Sequence, residues 1–289
     1  MNIILAKHAG LCFGVRRAIS MAKKHAKSVD DKTYTIGPLI HNPQTVELLQ
    51  EKCDIHPAEE LTEIKDESSV VVRSHGIPKQ MLKDIKLKGL DVVDATCPFV
   101  QQAQSIVEKL AADNKPTLII GDENHPEVVG IKSYAKDDVW IANSVAEINF
   151  KNIIADISHG KVINIVCQTT QSFFKFEEIV SYLNDNSVET NIFNTICDAT
   201  MNRQKEAIGI ARKVDLMIII GGRNSSNTKK LLDICHDVNE NTIHIEEEFE
   251  LAENILKNVR NIGVATGAST PSWIIRRVIT KIRRLSKDD

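Results

Sequence analysis

Residues 216–232 read Leu216-Met217-Ile218-Ile219-Ile220-Gly221-Gly222-Arg223-Asn224-Ser225-Ser226-Asn227-Thr228-Lys229-Lys230-Leu231-Leu232. An apolar run without polar alternation suits a parallel strand covered on both faces. The glycines end it, and the Asn/Ser run that follows is helix N-cap chemistry. A strand, a glycine turn and a capped helix in succession form half of a parallel βαβ unit. The helix N-terminus they create is also the physical setting for an anion. The same grammar extends in both directions, with apolar runs at 3–6, 34–37, 70–73, 91–95, 117–121, 162–167, 191–196 and 262–266. Further strands are expected near 139–142 and 242–245. Between the runs lie amphipathic patterns, such as Val15, Ala18, Ile19 and Ala22, then 100–110 and 207–214. Strand–helix alternation of this kind argues an α/β fold with mainly parallel sheets. The acidic stretch 54–69 reads as a surface excursion.

Composition narrows the function. The chain has 289 residues, about two domains by length with one or three close behind, and is 42% hydrophobic and 26% charged. Lys plus Arg number 36 against 39 Asp plus Glu, a formal charge of −3, so there is no electrostatic footprint for nucleic acid or an anionic membrane. Aromatics are 4%, too few for base-stacking platforms to dominate. No apolar run approaches the length of a bilayer span, and the first residues show neither a signal-peptide core nor a transit segment. The expected setting is cytoplasmic. The basic residues Arg276, Arg277, Lys281, Arg283 and Arg284 near the C-terminus read as one solvated helix face.

The nine main runs fall into three groups of three, and their trailing residues repeat. A cysteine follows the first run of each group: Cys12, Cys97 or Cys197. After the second run come His41, His125 or the Asn224–Asn227 stretch, at offsets from the cysteine of 29, 28 and, to Ser225, 28. After the third come His75, Thr169 or Ser269, at offsets of 63, 72 and 72. Spacing on this scale suggests a pseudo-threefold duplication, with units at 1–96, 97–194 and 195–289 and the N-terminal strand and Cys12 loop packing with the third. Open parallel sheets bind ligands beyond the carboxyl ends of their strands. Three such edges facing one another would converge on a central cavity ringed by the cysteines.

Those thiols are the candidates for metal. Cys53, Cys167 and Cys235 read as small core residues. Cys12, Cys97 and Cys197 lie in equivalent loops, and three thiolates suit either zinc with an open position or an iron–sulfur cluster. A competing arrangement puts zinc on His41, His75 and His125, which leaves the cysteines unexplained. The strand–turn–helix starts at Ser225, Ser226 and Asn227 and at Ser269 suit a phosphate or diphosphate. Neither a Walker A nor a Gly-x-Gly-x-x-Gly pattern is present, which disfavours a nucleotide. Glu127, two residues after His125, is a helix-dipole carboxylate on its own and a proton donor in a cavity holding a Lewis acid. A zinc phosphohydrolase and a non-enzymatic iron–sulfur sensor or carrier are the rival classes.

Nine motifs in order carry a resemblance: Gly-Leu-Cys12-Phe-Gly-Val, Ile-His41-Asn, Ser-His75-Gly, Asp-Ala-Thr-Cys97-Pro, His125-Pro-Glu127-Val, Gln-Thr169-Thr170-Gln-Ser, Cys197-Asp-Ala-Thr-x-Asn-Arg-Gln, Asn-Ser225-Ser226-Asn227 and Gly-Ala-Ser269-Thr-Pro. With them the chain closely resembles, over essentially its whole length, the 4-hydroxy-3-methylbut-2-enyl diphosphate reductases of the non-mevalonate isoprenoid route. The departures are Phe13, where some members have Ala, and Ala265-Thr266, where some have Thr-Ala. The resemblance implies a trefoil of three α/β domains around one [4Fe–4S] cluster, held by Cys12, Cys97 and Cys197 with one iron open. It implies diphosphate contacts from His41, His75, His125, Ser225, Ser226, Asn227 and Ser269, with Thr169 and Glu127 near the substrate hydroxyl and the proton path. The implied reaction is a two-electron dehydroxylation giving isopentenyl and dimethylallyl diphosphates. The implied partner is an electron donor such as ferredoxin or flavodoxin.

Overall fold

Along the chain, strands and helices alternate almost without exception. The computed structural model describes residues 1–65, 68–157 and 162–286. First come β1 (Asn2–Leu5), α1 (Phe13–Ala26), β2 (Thr33–Ile36), α2 (Pro43–Cys53) and β3 (Ile55–Ala58). Next are β4 (Ser69–Val72), α3 (Lys79–Leu87), β5 (Asp91–Asp94), α4 (Pro98–Ala112), β6 (Thr117–Ile120) and α5 (Pro126–Lys132). Then follow β7 (Val139–Ala142), α6 (Val145–Phe150), α7 (Ile153–Ile157), β8 (Ile163–Cys167), α8 (Phe173–Asp185) and β9 (Thr190–Phe193). The last part holds α9 (Asp198–Ala211), β10 (Leu216–Ile220), α10 (Ser226–His236), β11 (Thr242–Ile245), β12 (Asn261–Thr266) and α11 (Ser272–Leu285).

These strands build three four-stranded sheets, ordered β3-β2-β4-β5, β7-β6-β8-β9 and β11-β10-β12-β1. Every pairing in them is parallel. The three orders are one topology used three times, and the N-terminal β1 fills the fourth place of the last sheet beside β12. The architecture is therefore three parallel-sheet α/β units, as the alternation predicted. Cys97, Cys197 and Cys12 each follow the fourth strand of a sheet: β5, β9 and β1.

The chain divides into two compact units. One comprises Met1–Arg16, Ile40–Leu48 and Asp198–Asp289, and contains the β11-β10-β12-β1 sheet. Its central strand β10 is buried on both faces, which explains the uninterrupted apolar run. Leu216, Ile218 and Ile220 pack with Ile274, Val278 and Ile282 of α11. Met217 and Ile219 point the other way, onto Ala207 and Ile210 of α9 and Leu231 and Ile234 of α10. The C-terminal helix exposes Arg276 and Arg277 as expected, the latter stacked 5.0 Å from the Trp273 ring centroid.

The second unit, Arg17–Leu39 with Leu49–Cys197, holds the other two sheets. Val70 and Val72 pack against Ile85 of α3. Ile119 and Val166 pack against Ala103 and Val107 of α4 and Val128 and Ile131 of α5. Two expectations need correction. The stretch 54–69 is no mere surface excursion, because Ile55–Ala58 forms edge strand β3 on β2; residues 66–67 of that stretch lie outside the described residues. Cys53 is not a core thiol but half-exposed at the end of α2, whereas Cys167 and Cys235 are buried. Among the described residues no helix is long and apolar enough to cross a membrane.

Candidate active site

Strand ends set the site residues at repeated depths. His41, His125 and Ser225 each lie five residues beyond the last residue of β2, β6 and β10. Each cysteine is then tied by its own backbone to the end of a third strand. The Cys97 N–H donates to Ser74 O at 2.9 Å, that of Cys197 to Thr169 O at 3.1 Å and that of Cys12 to Ala268 O at 2.9 Å. Ser74, Thr169 and Ala268 are each two residues past β4, β8 and β12. Equivalence by geometry therefore pairs His75 and Ser269 with Thr170, not with Thr169 as offsets from the cysteines suggested. Thr169 occupies the frame position itself, one residue earlier.

In the second unit, one chain of contacts joins Cys97 to Cys197. Cys97 caps α4 with Pro98 in the first turn, and its loop is closed by Thr96 N–H donating to Asp94 Oδ1 at 2.9 Å. Beyond Ser74, the His75 ring meets the His125 ring edge-to-face with centroids 5.7 Å apart. His125 caps α5, and its Nδ1 accepts from the Glu127 N–H at 3.1 Å. With Nδ1 an acceptor, the neutral ring carries its proton on Nε2. Glu127 is 1% exposed, and both its oxygens meet Thr169. Oε1 accepts from the Thr169 N–H at 2.5 Å and Oε2 from Thr169 Oγ1 at 2.9 Å. The Thr169 carbonyl in turn accepts from Cys197, whose loop repeats the upstream turn, with Ile196 N–H donating to Asn194 Oδ1 at 3.1 Å. His75, Cys97, His125, Glu127, Thr169 and Cys197 are thus one connected set.

The first unit holds a second connected set. Cys12 binds Ala268 O, and the neighbouring Ser269 donates through Oγ to His41 O at 2.9 Å. The same His41 carbonyl lies against Gly222, where a Cβ would come within 2.7 Å of it, so only glycine fits. Gly222 O accepts from the Ser225 N–H at 3.0 Å, and Ser225 Oγ caps α10 by accepting from Thr228 N–H at 3.3 Å. Ser226 opens the helix, half-buried. Asn227 is 4% exposed, and neither its Oδ1 nor its Nδ2 has a hydrogen-bond partner among the described residues. Buried amide atoms without partners are costly. Beside a helix N-terminus they fit a ligand that presents both acceptor oxygens and a donor, such as a hydrated or protonated diphosphate.

The thiols fit a metal cluster by their own surroundings. Cys12, Cys97 and Cys197 are half-buried, and each immediately precedes a helix. The Val15 N–H points at Cys12 Sγ, 3.5 Å away. Cys235 is the contrast, its thiol pushed up to about 12 by burial. Among the described residues no three His, Cys, Asp or Glu side chains are already gathered around a metal-sized point.

Sequence reasoning passed over Arg203, which lies inside a quoted motif and is 7% exposed on α9. Its only sequence signal was membership of that motif. It also passed over Gly222, whose signal was the glycine pair ending β10.

The family described as LytB protein matches residues 3–283. A protein of Geobacter metallireducens is 45% identical over 285 residues, covering 99% of this chain and 98% of its own. One of Nitratiruptor sp. is 42% identical, covering 99% of both. Both are named 4-hydroxy-3-methylbut-2-enyl diphosphate reductase. The solved E-1-hydroxy-2-methyl-but-2-enyl-4-diphosphate reductase of Plasmodium falciparum superposes with a TM-score of 0.90 at 30% identity, over 96% of this chain and 87% of that one. A second solved reductase, described as the terminal enzyme of the non-mevalonate pathway, gives 0.69 at 39% identity, over 98% and 100%.

Proposed function

The chain belongs to the LytB protein family, and from that premise we propose that it is the iron–sulfur reductase of the last non-mevalonate step. It converts 4-hydroxy-3-methylbut-2-enyl diphosphate to isopentenyl and dimethylallyl diphosphates. Two electrons and two protons enter, the allylic C–O bond breaks, a C–H bond forms, and the oxygen leaves as water. The cofactor is one [4Fe–4S] cluster on Cys12, Cys97 and Cys197. When bound, it supplies the electrons and an open iron as Lewis acid. A small carrier of the ferredoxin or flavodoxin kind delivers the electrons, and the protein works in the cytoplasm, where thiols stay reduced.

The chain's own residues divide the remaining work. His41, His75, His125, Ser225, Ser226, Asn227 and Ser269 bind the diphosphate. Binding so far from the bond that breaks is what holds the allylic end still while it reacts. Glu127 donates the proton that the departing oxygen needs. Thr169 orients that carboxyl through both its backbone N–H and its hydroxyl, each a better donor to carboxylate than to neutral acid. The substrate's own diphosphate can supply the second proton to either end of the allyl fragment, which accounts for two products.

The observation that carries this reading is the buried Glu127–Thr169 pair bonded directly to the Cys197 backbone. The test is anaerobic oxidation of a reduced viologen dye by the cluster-reconstituted protein, with and without the hydroxymethylbutenyl diphosphate. Substrate-dependent oxidation yielding both five-carbon diphosphates is expected. An intact cluster with no substrate-dependent oxidation refutes it and leaves an iron–sulfur carrier or sensor.

A further inference from the structure

Arg203 is a buried cation that the proposed mechanism does not use. It projects from α9, the helix that follows Cys197, yet its partners surround Cys12. Nη2 donates to Gly10 O at 2.6 Å, and Nη1 reaches Thr266 O at 3.3 Å and Thr266 Oγ1 at 3.5 Å. Thr266 Oγ1 also accepts from the Gly10 N–H at 2.8 Å. Both backbone groups of Gly10 are therefore fixed, in a left-handed conformation (φ +105) that disfavours any residue with a side chain. Two residues on, Cys12 N–H binds Ala268 O, two residues after Thr266. One guanidinium thus closes both strands of the loop pair that presents Cys12.

The choice of residue is informative. Holding two carbonyls and a hydroxyl needs a planar fork of donors, which lysine lacks. A buried charge spent on backbone carbonyls is costly unless the loop has to be held in one geometry. The device recurs: Arg17 Nη1 donates to Thr96 O at 3.0 Å, the carbonyl just before Cys97. The loop before Cys197 has a neutral substitute, in which Thr195 Oγ1 accepts from Cys167 N–H at 2.8 Å and donates to Cys167 O at 2.5 Å.

We propose that Arg203 is a positioning residue for the Cys12 ligand: it fixes the loop before the cluster arrives, and its charge favours the reduced cluster. This rests on Cys12 being a cluster ligand. The test uses the full chain with and without cluster, as wild type, Arg203→Met and Arg203→Lys. Amide hydrogen exchange in the cluster-free chain reads the loop; the midpoint potential of the reconstituted protein reads the charge. In Arg203→Met, the Gly10 and Cys12 amides should exchange roughly tenfold faster or more, while amides of β10 keep their wild-type rates. Its potential should move to more negative values. Arg203→Lys should keep the wild-type potential but not the protection, since it has the charge without the fork. Wild-type protection in Arg203→Met overturns the clamp, and an unmoved potential overturns the electrostatic role. A wild-type chain that takes up no cluster refutes the ligand assignment of Cys12 instead, and the exchange rates still judge the clamp.

Discussion

Replacing Thr169 with valine removes one hydroxyl and keeps the shape of the side chain. Glu127 would retain the 2.5 Å bond from the Thr169 N–H but lose the 2.9 Å bond to Oε2. At 1% exposure, the carboxyl cannot recover a partner from bulk water. A hydrogen bond to a charged group contributes about 1.5–3 kcal/mol. Because the lost donor favours carboxylate over acid, the loss falls mainly on the state in which Glu127 has given up its proton. At about 1.4 kcal/mol per decade, kcat should drop roughly 10- to 150-fold. KM should change little, since neither Thr169 nor Glu127 is assigned to the diphosphate. Thr169→Ser keeps the hydroxyl and should recover most of the lost rate. The assay is the steady-state dye oxidation above, normalised to iron content so that cluster loss is not mistaken for slow chemistry. Wild-type kcat in Thr169→Val, or equal losses in valine and serine variants, would show that the bond to Glu127 does not serve the reaction.

Alkylation of the cluster-free protein near pH 8 should label Cys12, Cys97 and Cys197 and spare Cys235, whose burial pushes it up to about 12; cluster loading should then protect those three and leave Cys53 reactive, and peptide mapping checks both. Glu206 on α9 accepts from the Lys7 and His8 amides at 2.6 and 3.0 Å and from His8 Nδ1 at 2.6 Å. Burial pushes its carboxyl up, but these bonds outweigh that and hold it below the ordinary 4.5. A carboxyl held lower in the folded state stabilises above 4.5 and loses that contribution as pH falls towards its lowered value. Protection of the Lys7 and His8 amides should therefore hold above the ordinary carboxylate value of 4.5 and weaken as pH falls below it, and Glu206→Gln should abolish the pH dependence; an equal pH response in that variant would assign it elsewhere. Gly222→Ala would drive a methyl to within 2.7 Å of the His41 carbonyl. Overpacking of about 1–3 kcal/mol should appear as a rise in KM of roughly 5- to 150-fold with cluster content unchanged, and an unaltered KM would separate His41 from substrate binding.

Much of this was legible in the sequence because strands buried on both faces carry an unmistakable pattern. The run 216–220 needed only β10's two apolar neighbours to explain it. β3 escaped for the opposite reason. Among the described residues it pairs only with β2, and its sequence, Ile55-His-Pro-Ala58, puts a proline where an interior strand would need an N–H. Edge strands tolerate this, so the pattern that identifies the centre of a sheet is silent at its rim. Arg203 was invisible as a clamp because the Gly10 and Thr266 carbonyls and the Thr266 hydroxyl that it binds leave no spacing to recognise.

The one-residue difference at Thr169 shows how far counting along a chain can go. Three cysteine amides find carbonyl acceptors at the same depth, two residues past the third strand, in Ser74, Thr169 and Ala268. That bond uses only main-chain atoms, so it leaves the side chain at the frame position without an assigned duty. Ala268 has almost no side chain, and Ser74 turns its hydroxyl back to Leu39 O at 3.3 Å. Thr169 alone spends it on a carboxylate. In two of the units the candidate site residue stands one position later, as His75 and Ser269. In the third it has moved onto the frame residue itself. Repetition fixed the backbone, and because a backbone bond constrains no side chain, one unit was open to acquire a buried threonine–carboxylate pair at its frame position.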